Sequence, residues 1–165
     1  MIVPHGQKQP AVLVILKNHD RFLLIKRNKD PNKNKYTPVG GKIDLYESPL
    51  QAAVRETFEE TGVTISTAKY CGLLVESSPT KYNWICFVYV AEIEYCPPSR
   101  CKEGDLEWIN QSELLNIPTP ETDRYIYEYY LAGRSFMFGA EYDESLNLIS
   151  MKEEIEDTLI INNKE

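Results

Sequence analysis

Residues 41–63 read GKIDLYESPLQAAVRETFEETGV, and this stretch predicts one helix bounded by glycines. Ser48, Pro49 and Gln51 together are typical of a helix start with a capping box, and Gly62 is typical of the left-handed residue that ends a helix. Side chains suited to a buried face recur between them at helical spacing, namely Leu50, Ala53, Val54, Thr57 and Phe58. The stretch therefore predicts a loop, a helix and a tight turn.

Three glutamates lie on one face of this predicted helix, away from its buried face. Glu56, Glu59 and Glu60 are spaced i, i+3 and i+4, so their carboxylates share one side. Like charges at this spacing repel, and the helix dipole disfavours anions near the C-terminal end. Arg55 can pair with Glu59 across one turn, which leaves two carboxylates uncompensated. The pattern is typical either of a solvated acidic face or of a site for a hard divalent cation.

The spacing of these residues resembles the signature of the Nudix hydrolases, G-x5-E-x7-R-E-U-x-E-E-x-G-U, in which U is aliphatic. Every fixed position matches, and Thr57 alone departs from the pattern because an aliphatic residue is usual there. The resemblance implies an α/β fold, the Nudix α/β/α sandwich with a mixed β-sheet, in which the motif forms a loop–helix–loop. It also implies hydrolysis of a nucleoside diphosphate linked to another group.

The resemblance further implies a divalent-metal site, with Mg²⁺ as the expected cofactor and Mn²⁺ as the alternative. The expected ligands are the carbonyl of Gly40 and the carboxylates of Glu56, Glu59 and Glu60. Metal ions at such a site neutralise the charge of a diphosphate, orient its oxygens and acidify a bound water. This chemistry agrees with the excess of carboxylates on the predicted helix.

One carboxylate is expected to take the proton from the attacking water. Glu59 is the first candidate for this base. Glu103 is its rival, because MutT-like members of the family bring an acid from a later loop to the metal. The resemblance implies that Arg55 holds a catalytic carboxylate in place and that Glu47 braces the motif with it.

A basic segment surrounds the start of the motif, with six basic residues and one acidic residue between residues 26 and 42. The charge pattern is typical either of a solvated loop or of a small patch that attracts anions beside a site. We expect Lys26, Arg27 and Lys42 to bind substrate, with Lys42 near the phosphates. Thr37 stands where MutT-like members often carry Asn, and it is a further substrate-binding candidate.

The resemblance to MutT-like 8-oxo-dGTP diphosphatases extends loosely over most of residues 10–150. In that group an Asp before the last helix reads the purine edge, and Asp123 occupies this place; capping the helix is its alternative role. Pro120 stands where several members carry a stacking Trp. A stacking face is then left to Tyr36, Trp84 or the tyrosines at 125–130, which are also suited to the core.

The leading hypothesis is a Mg²⁺-dependent pyrophosphohydrolase that cleaves nucleoside triphosphates, including oxidised purines such as 8-oxo-dGTP, to monophosphate and pyrophosphate. Pro79 lies near the position of a proline in ADP-ribose-hydrolysing members, so an ADP-ribose or dinucleotide pyrophosphatase is the alternative. A non-catalytic nucleotide sensor is a hypothesis of another class. Sensors of this kind usually lose motif acids, and none is missing here.

Outside the motif, periodicity predicts a mixed sheet covered by helices. Strands are predicted at residues 11–17, 22–26, 72–76, 84–94, 106–109, 135–142 and 146–149, with hairpins joining the first pair and the last pair. Helices are predicted at residues 111–116 and 122–132.

The composition indicates one globular domain and argues against a nucleic-acid binder or a membrane protein. The 165 residues carry a net charge of −7, and residues 141–165 account for eight acids and two bases of this total. The body is therefore nearly neutral and lacks the basic field of a nucleic-acid binder. Apolar stretches are too short to cross a bilayer. Four cysteines without CxxC spacing predict reduced thiols and a cytoplasmic location.

We expect residues 1–150 to form the single Nudix domain and residues 151–165 to form an acidic C-terminal segment, either a short helix or a tail. Apolar residues at helical spacing favour the helix, namely Met151, Ile155, Leu159 and Ile160. The expected partner is a small nucleotide substrate, and the chain is expected to be a monomer or a homodimer.

Overall fold

The computed structural model describes residues 4–80 and 82–164, and within them a mixed β-sheet carries one helix on each face. The strands are β1 (Gln9–Asn18), β2 (Arg21–Arg27), β3 (Tyr36–Thr37), β4 (Val39–Lys42), β5 (Lys69–Ser77), β6 (Trp84–Glu92), β7 (Arg100–Cys101), β8 (Gly104–Asn110), β9 (Phe136–Tyr142), β10 (Leu148–Glu153) and β11 (Thr158–Asn162). The helices are α1 (Pro49–Thr61) and α2 (Glu121–Leu131).

The strand order is β11-β10-β9-β5-β6-β1-β2-β8-β7, with β3 paired to β2 and β4 paired to β1. The sheet is mixed because β1 runs parallel to β6 and β5 runs parallel to β9, whereas their other neighbours are antiparallel. The antiparallel pairs β1–β2 and β9–β10 confirm the two predicted hairpins. The motif strand β4 therefore lies beside β1, in the middle of the sheet.

The central strand β1 is buried on both faces, which explains its continuous apolar sequence. Successive side chains of a strand point to opposite faces. Val12 and Val14 accordingly pack in the core that contains Ala52 of α1. Ile15, on the other face, packs in the core that contains Ile126 of α2. The helices thus cover opposite faces, and the predicted α/β sandwich is confirmed.

Helix α1 begins and ends where the sequence predicts. The Oγ of Ser48 accepts the N–H of Gln51 at 3.2 Å, and the Gln51 side chain accepts the N–H of Ser48 at 2.8 Å, which completes the capping box. Gly62 ends the helix with a φ of 75°. Thr57 is fully buried, and its hydroxyl donates to the carbonyl of Ala53 at 2.7 Å. Threonine is therefore accommodated at this aliphatic position without an unpaired polar atom.

Two helix predictions are wrong. Residues 111–116 form turns, closed by hydrogen bonds such as that from the N–H of Asn116 to the carbonyl of Glu113. The C-terminal segment, predicted as a short helix or tail, contains half of β10 and all of β11. The predicted domain boundary at residue 150 therefore lies inside a strand of the same sheet.

The turn between β10 and β11 explains why a strand pair forms at the C-terminal end instead of a helix. The carboxylate of Glu153 is buried and accepts backbone N–H groups of Met137, Ile155 and Glu156 at 3.0, 3.1 and 2.8 Å. These hydrogen bonds pair backbone N–H groups of strand β9 and of the turn. Ile155 is left exposed, whereas the predicted helix would have buried it.

The cysteines are free thiols, namely Cys71, Cys86, Cys96 and Cys101. Across residues 4–80 and 82–164, neither helix has the length and apolar character needed to cross a membrane.

Candidate active site

The motif places two of its carboxylates against strand β4. The N–H of Gly40 donates to Oε2 of Glu60 at 2.8 Å. The carboxylate of Glu56 lies against Gly41 so closely that a Cβ there would be 2.3 Å from its Oε1. A Cβ at position 40 would lie 2.1 Å from the carbonyl oxygen of Val12 on β1. Position 40 therefore requires glycine because the β1 backbone is too close for a side chain, and position 41 requires glycine because the Glu56 carboxylate is too close.

Arg55 ties the motif together through its guanidinium group. Its Nε and Nη2 donate to the two carboxylate oxygens of Glu47 at 2.8 and 2.9 Å, a bidentate contact. Nη1 donates to Glu56 at 2.7 Å and to Glu59 at 3.3 Å, while Nη2 also reaches the carbonyl of Lys42 at 2.9 Å. These bonds, led by those from Glu47, raise the pKa of Arg55 further above its usual range, so the guanidinium stays charged.

Burial changes the acidity of the two inner carboxylates. Burial raises the pKa of Glu60 to about 7, with a further rise from the charge of Glu56, while the Gly40 N–H opposes it. Burial also raises the pKa of Glu56, against the opposing effect of Arg55. Removal from water thus disfavours both anions, and a bound cation would relieve this cost.

The donor set fits Mg²⁺ bound with a phosphorylated substrate. In the part of the chain that the structure describes, no three His, Cys, Asp or Glu side chains lie close enough together to hold a metal ion by themselves. Glu56 and Glu60 face β4, whereas Glu59 turns towards Arg55 and its side chain is 55% exposed. Mg²⁺ usually takes one or two carboxylates and completes its shell with phosphate and water oxygens. Two carboxylates and the carbonyl of Gly40 meet that requirement.

A cavity of about 270 Å³ extends from strand β4 across the α2 face of the sheet. Apolar and aromatic side chains form much of its wall, namely Ala11, Leu13, Leu74, Tyr82, Trp84 and Cys86. Gly40, Gly41 and Lys42 line it on strand β4. Glu76 and Asp123 supply its acidic groups. A mostly apolar cleft with a few polar groups is typical of a small-molecule site.

Two predicted substrate-binding residues that line this cavity also contain a buried polar atom without a partner among the described residues. Arg27 forms an ion pair from Nη2 to Glu103 at 2.7 Å, but its buried Nε has no hydrogen-bond partner among residues 4–80 and 82–164. The buried Oγ1 of Thr37 also lacks one within those residues. A buried polar group without a partner costs about 1–3 kcal/mol.

The remaining basic candidates divide between the cavity and other places. Lys42 lines the cavity, and its Nζ lies 5.8 Å from the centre of the Trp84 ring. Lys26 is not among the residues that line the cavity; its Nζ lies 5.6 Å from the ring centre of Tyr36. Side chains alternate along β2, so Lys26 lies on the α2 face with Leu24, but outside the residues that line the cavity. The substrate contact of Lys26 stays a prediction.

Glu103 is held near the motif rather than in the cavity. Its carboxylate pairs with Arg27, and its carbonyl accepts the N–H of Asn28 at 3.0 Å. The charges of Glu103 and Arg27 both act on Glu60, with opposite effects on its pKa. Glu103 therefore lies within electrostatic range of the inner carboxylates, whereas Glu59 is on the motif helix itself.

Asp123 lies in the first turn of α2, is 5% exposed and lines the cavity. The residue at the helix start is Pro120, with no side-chain capping bond, so the alternative role of Asp123 as a helix cap is wrong. Pro79, the basis for the ADP-ribose alternative, lies in the β5–β6 connection and is not part of the described lining.

Glu76 is the acidic residue that the sequence reasoning missed. It lies on β5, is 4% exposed and faces the same cavity as Asp123. The signal was present in the sequence, because Leu74 and Glu76 are two residues apart in a strand and so share one face. A charged residue on the buried face of a strand belongs to a functional site more often than a charged residue on the solvated face does.

Comparisons with known proteins agree with this geometry. The model of the NUDIX domain family matches residues 7–130. An uncharacterized Nudix hydrolase, YvcI of Bacillus subtilis, is 26% identical over 145 residues, which cover 84% of this chain and 89% of that protein. The NAD-capped RNA hydrolase NudC of Haemophilus influenzae is 37% identical over 65 residues, but these cover only 38% of this chain and 25% of that protein.

Solved structures give the same result. The crystal structure of the MutT protein from Bacillus halodurans matches with a TM-score of 0.79 and 26% identity, covering 89% of this chain and 98% of that one. The NUDIX domain of Shewanella oneidensis NrtR, solved with ADP ribose, matches with a TM-score of 0.67 and 19% identity, covering 77% and 88%. The second likeness shows the fold alone. With a family model that covers most of the chain, the protein belongs to the Nudix family as a MutT-like hydrolase of diphosphate linkages.

Proposed function

We propose that the protein is a Mg²⁺-dependent pyrophosphohydrolase that converts nucleoside triphosphates, including oxidised purine nucleotides such as 8-oxo-dGTP, into the monophosphate and pyrophosphate. One observation carries this proposal. A single cavity joins strand β4, which the inner carboxylates of helix α1 contact, to the acidic pair Glu76 and Asp123. It therefore offers one end for phosphates and another for a base with hydrogen-bond donors.

Metal would be held by the carboxylates of Glu56 and Glu60 with the carbonyl of Gly40. Divalent metal is general among Nudix hydrolases. When bound here, Mg²⁺ would neutralise the diphosphate charge and lower the pKa of a bound water. Arg55 donates to the carboxylates of both Glu56 and Glu59, so that the substrate would meet a fixed set of charges.

Glu59 is our choice for the proton acceptor. It carries only one contact to Arg55, at 3.3 Å, and its side chain is half exposed, so it is free to turn towards a water. Glu103 is less available because Arg27 already holds its carboxylate at 2.7 Å. Arg27, Thr37 and Lys42 would bind the substrate where they line the cavity.

The first experiment compares substrates directly. Purified protein is incubated with Mg²⁺ and 8-oxo-dGTP, ADP-ribose or each ordinary dNTP, and the products are separated by ion-exchange chromatography. We expect monophosphate and pyrophosphate from 8-oxo-dGTP at the highest rate. Faster cleavage of ADP-ribose would overturn the proposed substrate and leave the Nudix reaction in place.

A matched pair of variants tests the metal site. Glu60→Gln removes one inner carboxylate and should reduce Mg²⁺-dependent turnover by about tenfold or more. Glu94→Gln makes the same change at an exposed position outside the cavity and should leave turnover unchanged. Equal activity of the two variants would contradict the metal role of Glu60.

The cellular location that we propose is the cytoplasm. The four free thiols are the supporting observation, since secreted proteins usually oxidise their cysteines.

A further inference from the structure

Lys42 and Trp84 meet at the wall of the cavity. The Nζ of Lys42 lies 5.8 Å from the centre of the Trp84 ring, and both side chains line the cavity. A cation at this distance from the face of an aromatic ring is attracted by the negative charge of that face. In the part of the chain that the structure describes, the partner of the Lys42 ammonium is thus a ring rather than a carboxylate, whereas the lysines that form ion pairs there are Lys17, Lys152 and Lys164.

The register of the sheet brings these two side chains to the same face across one strand. Lys42 of β4 lies opposite Ala11 of β1, and Trp84 of β6 lies opposite Gln9, two residues earlier on β1. Directly opposite residues share a face of the sheet, and so do residues two apart in one strand. Because Ala11 belongs to the core on the α2 face, Lys42 and Trp84 lie on that face as well. The small side chain of Ala11 leaves room for the long stem of Lys42 to cross β1 towards the ring.

Other contacts hold the backbone of Lys42 and the ring of Trp84. The carbonyl of Lys42 accepts Nη2 of Arg55 at 2.9 Å, which ties this residue to the motif helix. The ring of Trp84 meets the ring of Tyr82 edge to face, with the two centres 6.5 Å apart and the planes at 84°. The side chain of Lys42 is exposed, and its flexible end would otherwise sample many rotamers. The contact with Trp84 therefore gives a preferred position to the one part of this arrangement that nothing else fixes.

We propose that Trp84 is a positioning residue, which holds the ammonium of Lys42 at the cavity wall so that the cation is in place when a diphosphate group binds. Ordering a free lysine side chain costs part of the binding free energy of the phosphate. The ring contact orders that side chain before the substrate arrives, so this cost is smaller. The inference rests on the proposed function, since it uses the phosphate end of the same cavity. It differs from a stacking role of Trp84, in which the ring would contact the base.

A probe without a base separates these two roles of the ring. Methylenediphosphonate has the charge of a diphosphate, has no base to stack and is not hydrolysed at its bridging carbon, and its binding is measured by calorimetry in the presence of Mg²⁺. Trp84→Leu should weaken this binding by about two- to fivefold, the range of a cation–π contact at an exposed site. Trp84→Phe should retain most of the affinity because it keeps a ring face. Lys42→Met should weaken binding at least as much as Trp84→Leu, whereas Lys69→Met, at an exposed position outside the cavity, should not.

A double variant tests whether the ring acts through the ammonium. In the Lys42→Met background, Trp84→Leu should have no further effect on methylenediphosphonate binding, because the contact that it removes is already absent. Fluorescence gives a second measurement in which Trp84 itself is unchanged. The chain has two tryptophans, so Trp108→Phe leaves Trp84 as the only indole. Binding of the probe should change its emission when Lys42 is present and leave it unchanged in Lys42→Met. Thermal denaturation checks that each variant folds.

The outcomes distinguish this inference from the proposed function. Unchanged binding of methylenediphosphonate by folded Trp84→Leu would overturn the positioning role, even if nucleotide binding falls, because the ring would then act on the base. An equal effect of Trp84→Leu with and without Lys42 would overturn it as well, and so would an emission change that persists in Lys42→Met. Cleavage of ADP-ribose in place of any triphosphate would overturn the proposed substrate, and the measurements with methylenediphosphonate would still decide the role of Trp84.

Discussion

The backbone N–H of Gly40 donates a 2.8 Å hydrogen bond to Oε2 of Glu60, which fixes the end of helix α1 to the strand that precedes it. The contact spans the whole motif, because the two residues lie at its opposite ends. A carboxylate held by a backbone group has little rotamer freedom left to lose when it binds a cation. The motif is thus a closed loop, joined across its ends by this bond and braced inside by the contact between Arg55 and Glu47.

Gly41→Ala tests the close approach of Glu56 to strand β4. The new Cβ would lie 2.3 Å from Oε1 of Glu56, so the carboxylate must move, and we expect turnover to fall by about tenfold or more. Gly62→Ala is the control, since a Cβ there meets nothing within 4 Å but the φ is 75°. It should cost about 1 kcal/mol in the free energy of unfolding and leave kcat unchanged. The reverse pattern would contradict the role of Gly41.

Arg55→Lys tests the guanidinium bridge. Lysine keeps the charge but cannot make the two bonds to Glu47 at 2.8 and 2.9 Å. We expect activity, or Mg²⁺ affinity measured by titrating activity against the metal, to fall by about 10- to 100-fold. Arg124→Lys changes an exposed i,i+4 pair with Glu128 on α2 and should have no such effect. Full activity of Arg55→Lys would show that charge alone is sufficient.

Metal-free protein should lose stability as the pH rises. The pKa of Glu60 is raised from 4.5 to about 7 in the folded protein. Its stabilising contribution to the free energy of unfolding is therefore fully present below pH 4.5 and is lost as the pH rises through about 7. Urea denaturation in EDTA at about pH 5 and about pH 8 measures this loss. Glu60→Gln should reduce the difference between the two conditions because it keeps an acceptor for Gly40 without ionising. An undiminished difference would assign the loss to other groups.

Glu153→Gln tests the turn that closes the C-terminal strand pair. Burial alone would raise the pKa of Glu153, but N–H bonds from Met137, Glu156 and Ile155 outweigh it and lower the pKa. Its stabilising effect is therefore present above the unfolded pKa and is lost as the pH falls through the folded pKa. We expect the substitution to cost about 1–3 kcal/mol at neutral pH by urea denaturation. Glu154→Gln, at the exposed neighbouring position, should cost little.

The sequence predicted the motif helix well because its signals are local. The capping pair Ser48 and Gln51 and the terminal Gly62 depend on neighbours within a few residues, and the structure has each of them. The C-terminal segment was predicted poorly because its conformation depends on Glu153 meeting Met137 across the sheet. Spacing along the chain does not reveal such a partner.

The same difference applies to the candidate site. Arg27 was predicted from the basic charge pattern, and Thr37, Lys42 and Asp123 were predicted from the resemblance. The structure places all four at one cavity. Glu76 was missed because it lies in a strand outside the motif and meets Asp123 only through the packing of α2. Lys26 lies on the α2 face with Leu24 but is not among the residues that line the cavity, so its substrate contact stays a prediction.

The hydrogen bond from Tyr142 to Glu76 connects two regions of the chain, the region that the family model matches and the region that follows it. The family model ends at residue 130, whereas Tyr142 closes strand β9 beyond it. Hydrolysis would draw on the shared part of the chain, but the residue that orients Glu76 comes from the continuation. Relatives with the same motif and a different C-terminal half would therefore keep the reaction and change the base, so substrate choice should follow the C-terminal sequence more closely than the motif does.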